Sequence, residues 1–362
     1  MYPVFIIGAK IMSKTAATIA IITMVLAVTI GLNSVMATEP NTQQAKIDPF
    51  KMNQLLGRGV NMGNALDAPS EGEWGFTLEE KYFQAAKDVG FNSVRIPVRW
   101  SAHALAEPPY TIDPNFLKRV DWAVNCALSR NMPVILNVHH YYELFSDPNS
   151  HKERFLAIWQ QIAEHYKDYP QILIFEPINE PSGKLSGSVL NSVLKQAIAV
   201  IRKSNPDRIL VAGSVWNVAG TLSSLEVPKD DRNIIVSIHT YSPLEFTHQG
   251  APWITDHDSN TWLGTKWTGT DAEKIAITKE FDVAVAWAKK NNRPINLGEF
   301  GTYNRADMDS RARYTKFVAD AAIERGFSFI YWQFASDFAV YDTKTNIWIK
   351  PLLDALVPPK QK

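Results

Sequence analysis

The sequence predicts an α/β fold, a single (β/α)8 TIM barrel. Three observations predict it. From Asp48 onward, short apolar runs alternate with longer amphipathic stretches, the pattern of parallel strands each followed by a covering helix. Eight such units occupy about 310 residues, the size of one closed barrel. Polar or aromatic residues stand at the C-terminal end of every apolar run, the end at which barrels of this kind do their chemistry.

Taken in order, the strands are expected at Arg58–Met62, Ser93–Pro97, Val134–Val138, Ile172–Ile178, Ile209–Ala212, Ile234–Ile238, Ile295–Leu297 and Ser328–Tyr331. Each is a short apolar run suited to burial on both faces. Helical periodicity fills the intervals at Leu78–Val89, Pro114–Arg130, Lys152–Tyr166, Ser188–Ser204, Ala272–Lys290 and Ser310–Glu324, with a brief helix at Lys350–Leu356. Asp113-Pro114 and Ser186 read as helix starts, and Gly90 and Gly326 as left-handed helix ends. The longest irregular stretch, Thr240–Thr270, carries Trp253, Trp262 and Trp267, and connections of that length usually have a functional role.

Composition narrows the function. The 362 residues hold 37 basic and 37 acidic side chains, so neither nucleic acid nor an anionic membrane is the expected partner. The single cysteine, Cys126, excludes an intrachain disulfide framework and lies on an apolar helical pattern as an inert buried thiol. At the N-terminus, Lys10 and Lys14 precede an apolar stretch from Ala16 to Leu32, then Ser34-Val35-Met36-Ala37. This reads as a signal peptide over residues 1–37, with Met12 as an alternative start. An uncleaved anchor is the other reading, for which the run is short. Residues 38–46 read as a polar, disordered stub and residues 47–358 as the barrel.

The strand tips carry Asn61, Asn64 and Asp67; Arg95; His139 and His140; Asn179 and Glu180; Trp216; His239 and Tyr241; Glu299; and Trp332. Two glutamates on strands four and seven are the pair that glycoside hydrolysis uses, one to protonate the leaving oxygen and one to attack the anomeric carbon. In a barrel of radius roughly 8 Å, those strands lie roughly 14 Å apart, which leaves roughly 5 Å between the carboxyls. Glu176 shares the fourth strand but lies deeper, as one half of a buried charge pair. The HHYYE run ending at Glu143 lacks the HExxH spacing, and adjacent strand histidines are expected on opposite faces, so no zinc site is expected. No G-x-S-x-G elbow occurs. His151, His165, His248 and His257 read as loop or helix-surface residues.

The segments GRGVNMGNALDAP, FNSVRIPVRWS, ILNVHHYYEL, IFEPINEP, SIHTYSP, LGEFGTY and IYWQFASDFAVYD together resemble glycoside hydrolase family 5, in the clan of retaining barrel glycosidases, and in particular its Thermotoga-type endo-β-1,4-glucanases. The resemblance runs from Asp48 to Leu356. It implies Glu180 as acid/base, Glu299 as nucleophile, Arg95 as the cation that keeps the nucleophile ionised, and Asn179 as the amide on the sugar 2-OH. It implies His239 beside the acid/base, Tyr241 beside the nucleophile, and Trp332 as the floor under the sugar preceding the scissile bond. His139, and with it Asn64, Asp67, His140 and Trp253, fall at substrate-contact positions. Pro177 and Gln333 depart from the family pattern beside the site.

The resemblance implies a secreted endo-β-1,4-glucanase that retains anomeric configuration, needs no metal or cofactor and acts on β-1,4-linked polysaccharide; a monomer is the expected state. A β-mannanase or a dual-specificity enzyme is the alternative. A carbohydrate-binding protein on an inactive barrel would need neither glutamate, and a metal-dependent hydrolase would lose activity to a chelator.

Overall fold

The computed structural model describes residues 46–359. The expected signal segment, and all of the expected stub except Lys46, lie outside them. Eight parallel strands close in sequence order. They are β1 (Arg58–Asn61), β2 (Ser93–Ile96), β3 (Val134–Asn137), β4 (Leu173–Glu176), β5 (Leu210–Gly213), β6 (Ile234–Thr240), β7 (Ile295–Phe300) and β8 (Ser328–Tyr331), and β8 pairs back onto β1. The helices are α1 (Pro49–Leu56), α2 (Glu80–Val89), α3 (Pro114–Leu128), α4 (Tyr142–Ser146), α5 (Pro148–His165), α6 (Gly187–Arg202), α7 (Leu244–Thr247), α8 (Asp271–Asn291), α9 (Met308–Glu324) and α10 (Lys350–Leu356). The fold is the (β/α)8 barrel that the alternating pattern predicts.

Alternation along the strands divides the core in two. Val60, Val94, Val134, Leu136, Leu173 and Phe175 face outward beneath the helices. Ile135, Ile174, Val211, Ile235 and Ile330 face inward and fill the base of the barrel together with Met52 and Leu56 of α1. With Ile209, these make eight buried side chains, which exclude water from the bottom. Toward the other end, Asn61, Arg95, Asn137 and Glu176 occupy the next inward positions and form a polar ring.

Helix α1 is absent from the sequence expectation. Its eight residues contribute little periodicity, and it is fixed instead by its cap, with Asp48 accepting from the backbone N–H of Phe50 and Lys51 and Pro49 in the first turn. Helix α3 starts as expected, the Asp113 side chain accepting from Asn115 N. Ser186 does precede α6, but its hydroxyl makes no capping bond. Gly90 ends α2 in the left-handed region at φ 108°.

Two departures in strand length bear on the site. β4 ends at Glu176 rather than Ile178, so Glu180 lies four residues past the last ladder position. β7 runs on to Phe300, three residues beyond the expected end, because its register shifts at Gly298: Ile238 pairs with Leu297 but His239 with Glu299. That bulge swings Glu299 inward. A Cβ on Gly298 would lie 2.5 Å from Ser237 Oγ and 2.8 Å from His239 Nε2, so only glycine fits.

Candidate active site

Arg95 organises the barrel mouth. Fully buried on β2, it donates through Nε and Nη2 to Glu176 at 2.6 and 3.1 Å, through Nη1 to Glu299 Oε1 at 2.8 Å and to Asn61 Oδ1 at 2.8 Å, and through Nη2 to Asn179 Oδ1 at 2.6 Å. One guanidinium thus orients groups from β1, β4 and β7. Glu176 is the buried charge partner the sequence suggests. Asn61 passes the constraint on, its Nδ2 donating to the carbonyl of Gly298 at 3.0 Å, on the bulge itself.

Glu299 receives a second hydrogen bond at its other oxygen, from the Tyr241 hydroxyl at 2.9 Å. Glu180 Oε1 lies 2.7 Å from His239 Nδ1, at hydrogen-bonding distance. His239 lies between the two carboxylates, with Nδ1 3.8 Å from Glu299 Oε2. A carboxylate oxygen of Glu180 and one of Glu299 come within 4.8 Å of each other.

Burial pushes Glu180 up to about 7, with Arg95 pulling down and Glu176 adding to the rise. Burial also raises Glu299, but His239, Arg95 and the Tyr241 hydroxyl all pull against it. Burial lowers His239 to about 4 and lifts the Tyr241 phenol far above its ordinary value, the neighbouring carboxylates adding to the rise. Both therefore stay neutral across the ordinary pH range. The resulting site holds one carboxyl that keeps its proton near neutrality beside one supplied with donors for its anion.

His139, His140 and Asp67 form a second group beside the first. Here the expectation that the two histidines face opposite ways fails. β3 has already ended at Asn137, and His140 turns into the left-handed region at φ 52°. Both rings therefore lie together, 4.2 Å apart and edge to face. His140 Nε2 is 3.8 Å from Asp67 Oδ2, and burial raises Asp67 to about 6. His139 stacks parallel to Trp332 at 5.8 Å.

These three residues, like Glu180, His239 and Glu299, bring possible ligand atoms within 4.8 Å. The surroundings of His139 and His239 have the wrong polarity for a metal, whereas His140 Nδ1 meets the Tyr142 hydroxyl at 2.8 Å. A ligating imidazole donates its other N–H to an oxygen, yet the Asn137 amide N–H, fixed by donation to Glu176 and by Val98 N on its oxygen, points at His139 Nδ1. An Asn217 amide nitrogen likewise faces His239 Nε2 at 3.2 Å.

The remaining expected residues sit at the rim. Asn64 donates to Ser336 Oγ at 3.0 Å. Trp253, 45% exposed, packs edge-on against Tyr303 at 4.9 Å and reaches Tyr241 through His248. That histidine is buried rather than superficial, because the Thr240–Thr270 connection folds it against Tyr241 at 4.9 Å. Trp267 of the same connection is core, packed on Tyr314 and Phe317. The sequence reading missed Asn137, Asn217 and Glu280. Glu280, on α8, accepts from Thr240 and Ser242, the two neighbours of Tyr241, at 2.8 and 2.6 Å.

A closed barrel with paired carboxyls across its mouth has the equipment of a glycoside hydrolase. The model of the cellulase family, glycosyl hydrolase family 5, matches residues 55–337. Endoglucanase H of Acetivibrio thermocellus is 38% identical over 330 residues, which cover 89% of this chain and 35% of that protein. The chain thus spans about a third of that relative, and 46% of cellulase/esterase CelE of the same organism. Among solved structures, Thermotoga maritima Cel5A with mannotriose superposes with a TM-score of 0.83 at 48% identity, covering 86% of this chain and all of that one. The same enzyme with cellobiose gives 0.84. The chain belongs to glycosyl hydrolase family 5.

Proposed function

We propose that this chain is an endo-β-1,4-glucanase that cleaves internal bonds of β-1,4-linked polysaccharides with retention of anomeric configuration. The observation that carries the mechanism is the approach of Glu180 and Glu299 to within 4.8 Å. Retaining enzymes hold their carboxyls about 5–5.5 Å apart, whereas inverting enzymes leave room for a water at about 6.5–9.5 Å.

In the first half-reaction Glu299 attacks the anomeric carbon, the glycosidic C–O bond breaks, and the Glu180 proton passes to the departing oxygen. Arg95 and Tyr241 hold the Glu299 anion in place. Asn179, oriented by Arg95, supplies the N–H expected to meet the sugar 2-OH, and Trp332, stacked on His139, the floor beneath the ring. Forming the ester removes the Glu299 charge, so the Glu180 pKa falls and the carboxylate becomes a base. It then takes a proton from water, whose oxygen attacks the same carbon and releases Glu299.

Asn64, Asp67, His140 and Trp253 are read as further substrate contacts. Export through residues 1–37 and action as a monomer complete the reading. A dual glucanase and mannanase is the second reading, favoured by the mannotriose and cellobiose complexes of one structural neighbour.

Initial rates on barley β-glucan, carboxymethyl-cellulose and glucomannan, with product anomers followed by NMR, test the proposal. Fresh β-anomers and internal cleavage of β-glucan are expected. Fresh α-anomers would overturn retention, and rates confined to mannan would overturn the glucanase reading.

A further inference from the structure

The turn after β5 contains two consecutive non-glycine residues in the left-handed region, Trp216 at φ 53° and Asn217 at φ 51°. Such backbone costs energy and gathers where a side chain must be aimed. Trp216 points outward, 55% exposed, while Asn217 is fully buried. The Asn217 N–H donates to Ser214 O at 2.8 Å, and its side chain lies over Gly213. A Cβ there would come within 2.2 Å of Asn217 Oδ1. Turn and glycine together bring Asn217 Nδ2 to 3.2 Å from His239 Nε2. Asn217 Oδ1 has no partner among the described residues, so the contact with His239 is the hydrogen bond its side chain makes there.

We propose that Asn217 is a positioning residue that fixes the tautomer of His239 and thereby aims the proton of Glu180 at the substrate. This rests on the reading of Glu180 as the acid. A neutral imidazole has one N–H. With the Asn217 amide donating to Nε2, the imidazole proton sits on Nδ1 and donates to Glu180 Oε1. The carboxyl proton of Glu180 is then left on Oε2, free to meet the glycosidic oxygen. In the other tautomer Nδ1 is a bare lone pair, and the Glu180 proton turns back onto His239.

No other charged neighbour supplies this selection. Among the described residues, Glu299 from β7, Arg95 from β2 and Glu176 from β4 act on whether His239 is charged, and Glu180 meets its Nδ1. None of these faces Nε2 with a hydrogen bond.

Two variants test the idea in the intact enzyme. Asn217→Gly removes the donor while keeping a residue at ease in the left-handed region. Asn217→Asp replaces the donor by an acceptor that demands a proton on Nε2. Long-range 15N NMR of histidine-labelled enzyme without substrate should show Nε2 unprotonated in the wild type, mixed in Asn217→Gly and protonated in Asn217→Asp.

On β-glucan, kcat should fall about 10- to 100-fold in Asn217→Asp, with KM changed far less. On 2,4-dinitrophenyl β-cellobioside, whose leaving group needs no proton, kcat/KM should stay within about threefold of wild type. A general structural role would depress both substrates alike. An unprotonated Nε2 in both variants, an unchanged kcat on β-glucan in Asn217→Asp, or equal losses on the two substrates would overturn the proposal. A wild-type enzyme inert on β-1,4-glucans would instead overturn the functional reading, while the NMR result would still report the tautomer.

Discussion

The two glutamates at the mouth are the same residue type in one cavity, yet they are held by opposite means. The Glu299 side chain is 5% exposed and meets a guanidinium and a phenol, one at each oxygen. The Glu180 side chain is 24% exposed and meets one neutral imidazole. Burial raises both, but only at Glu299 do several donors resist it. On the proposed reading, the difference teaches that an acid and a nucleophile can be separated by the number of partners rather than by depth. Glu180 keeps its proton because little around it favours the anion.

The comparison breaks most sharply when each carboxyl is replaced in turn. Glu299→Gln should lose at least about 10^4-fold in kcat on β-glucan and on 2,4-dinitrophenyl β-cellobioside alike, since both need the nucleophile. Glu180→Gln should lose about 10^2- to 10^4-fold on β-glucan and keep kcat/KM on the activated glycoside within about tenfold. Equal profiles for the two variants would refute the division of roles.

Next in size is the loss of the shared cation. Arg95→Met leaves Glu176 and Glu299 buried without a counter-ion, and breaking a buried pair from one side costs about 3–5 kcal/mol. The unfolding midpoint in denaturant should fall accordingly, and activity should fall with it. Glu180, touched by Arg95 only at a distance, should show the smaller change in pH response. A variant as stable as wild type would deny Arg95 its central place.

How much of this was legible beforehand follows from what a one-dimensional pattern can carry. All eight strands were, because parallel strands buried on both faces leave unbroken apolar runs. Ser328–Tyr331 matches to the residue. Ile172–Ile178 overshoots because Pro177 and Ile178 are apolar yet lie beyond the ladder, and Ile295–Leu297 falls short because a bulge at Gly298 has no apolar signature. The charged members of the site could be found at strand tips. Asn137, Asn217 and Glu280 could not, since each acts through another residue and one of them sits on a helix. The turn of His140 was also hidden, because nothing in the HHYY pattern shows where β3 ends and the backbone turns. The one usable signal for Asn217 is its type, as asparagine tolerates the left-handed region better than most residues.

The pH profile sharpens the contrast further. A carboxyl raised to about 7 stays protonated below that value, so kcat/KM should be lost as pH rises through about 7. Tyr241→Phe removes a donor from the Glu299 anion, which raises the Glu299 pKa. The acidic limb should therefore move up while the basic limb stays. A hydrogen bond to a charged group is worth about 1.5–3 kcal/mol, or about 10- to 100-fold in kcat. Movement of the basic limb instead would mean that Tyr241 serves Glu180.

The smallest effect lies one step farther out, at Glu280. Its carboxylate takes the hydroxyls of Thr240 and Ser242, so the residue between them, Tyr241, is clamped from both sides. Glu280→Gln keeps the shape and one acceptor, and hydroxyls can both give and receive, so kcat should fall only about two- to fivefold. If the clamp works through the Tyr241 hydroxyl, adding Glu280→Gln to Tyr241→Phe should cost nothing more, because the bond being positioned is already gone. Additive losses in that cycle would place Glu280 in the packing of α8 against the barrel, with no share in holding the nucleophile.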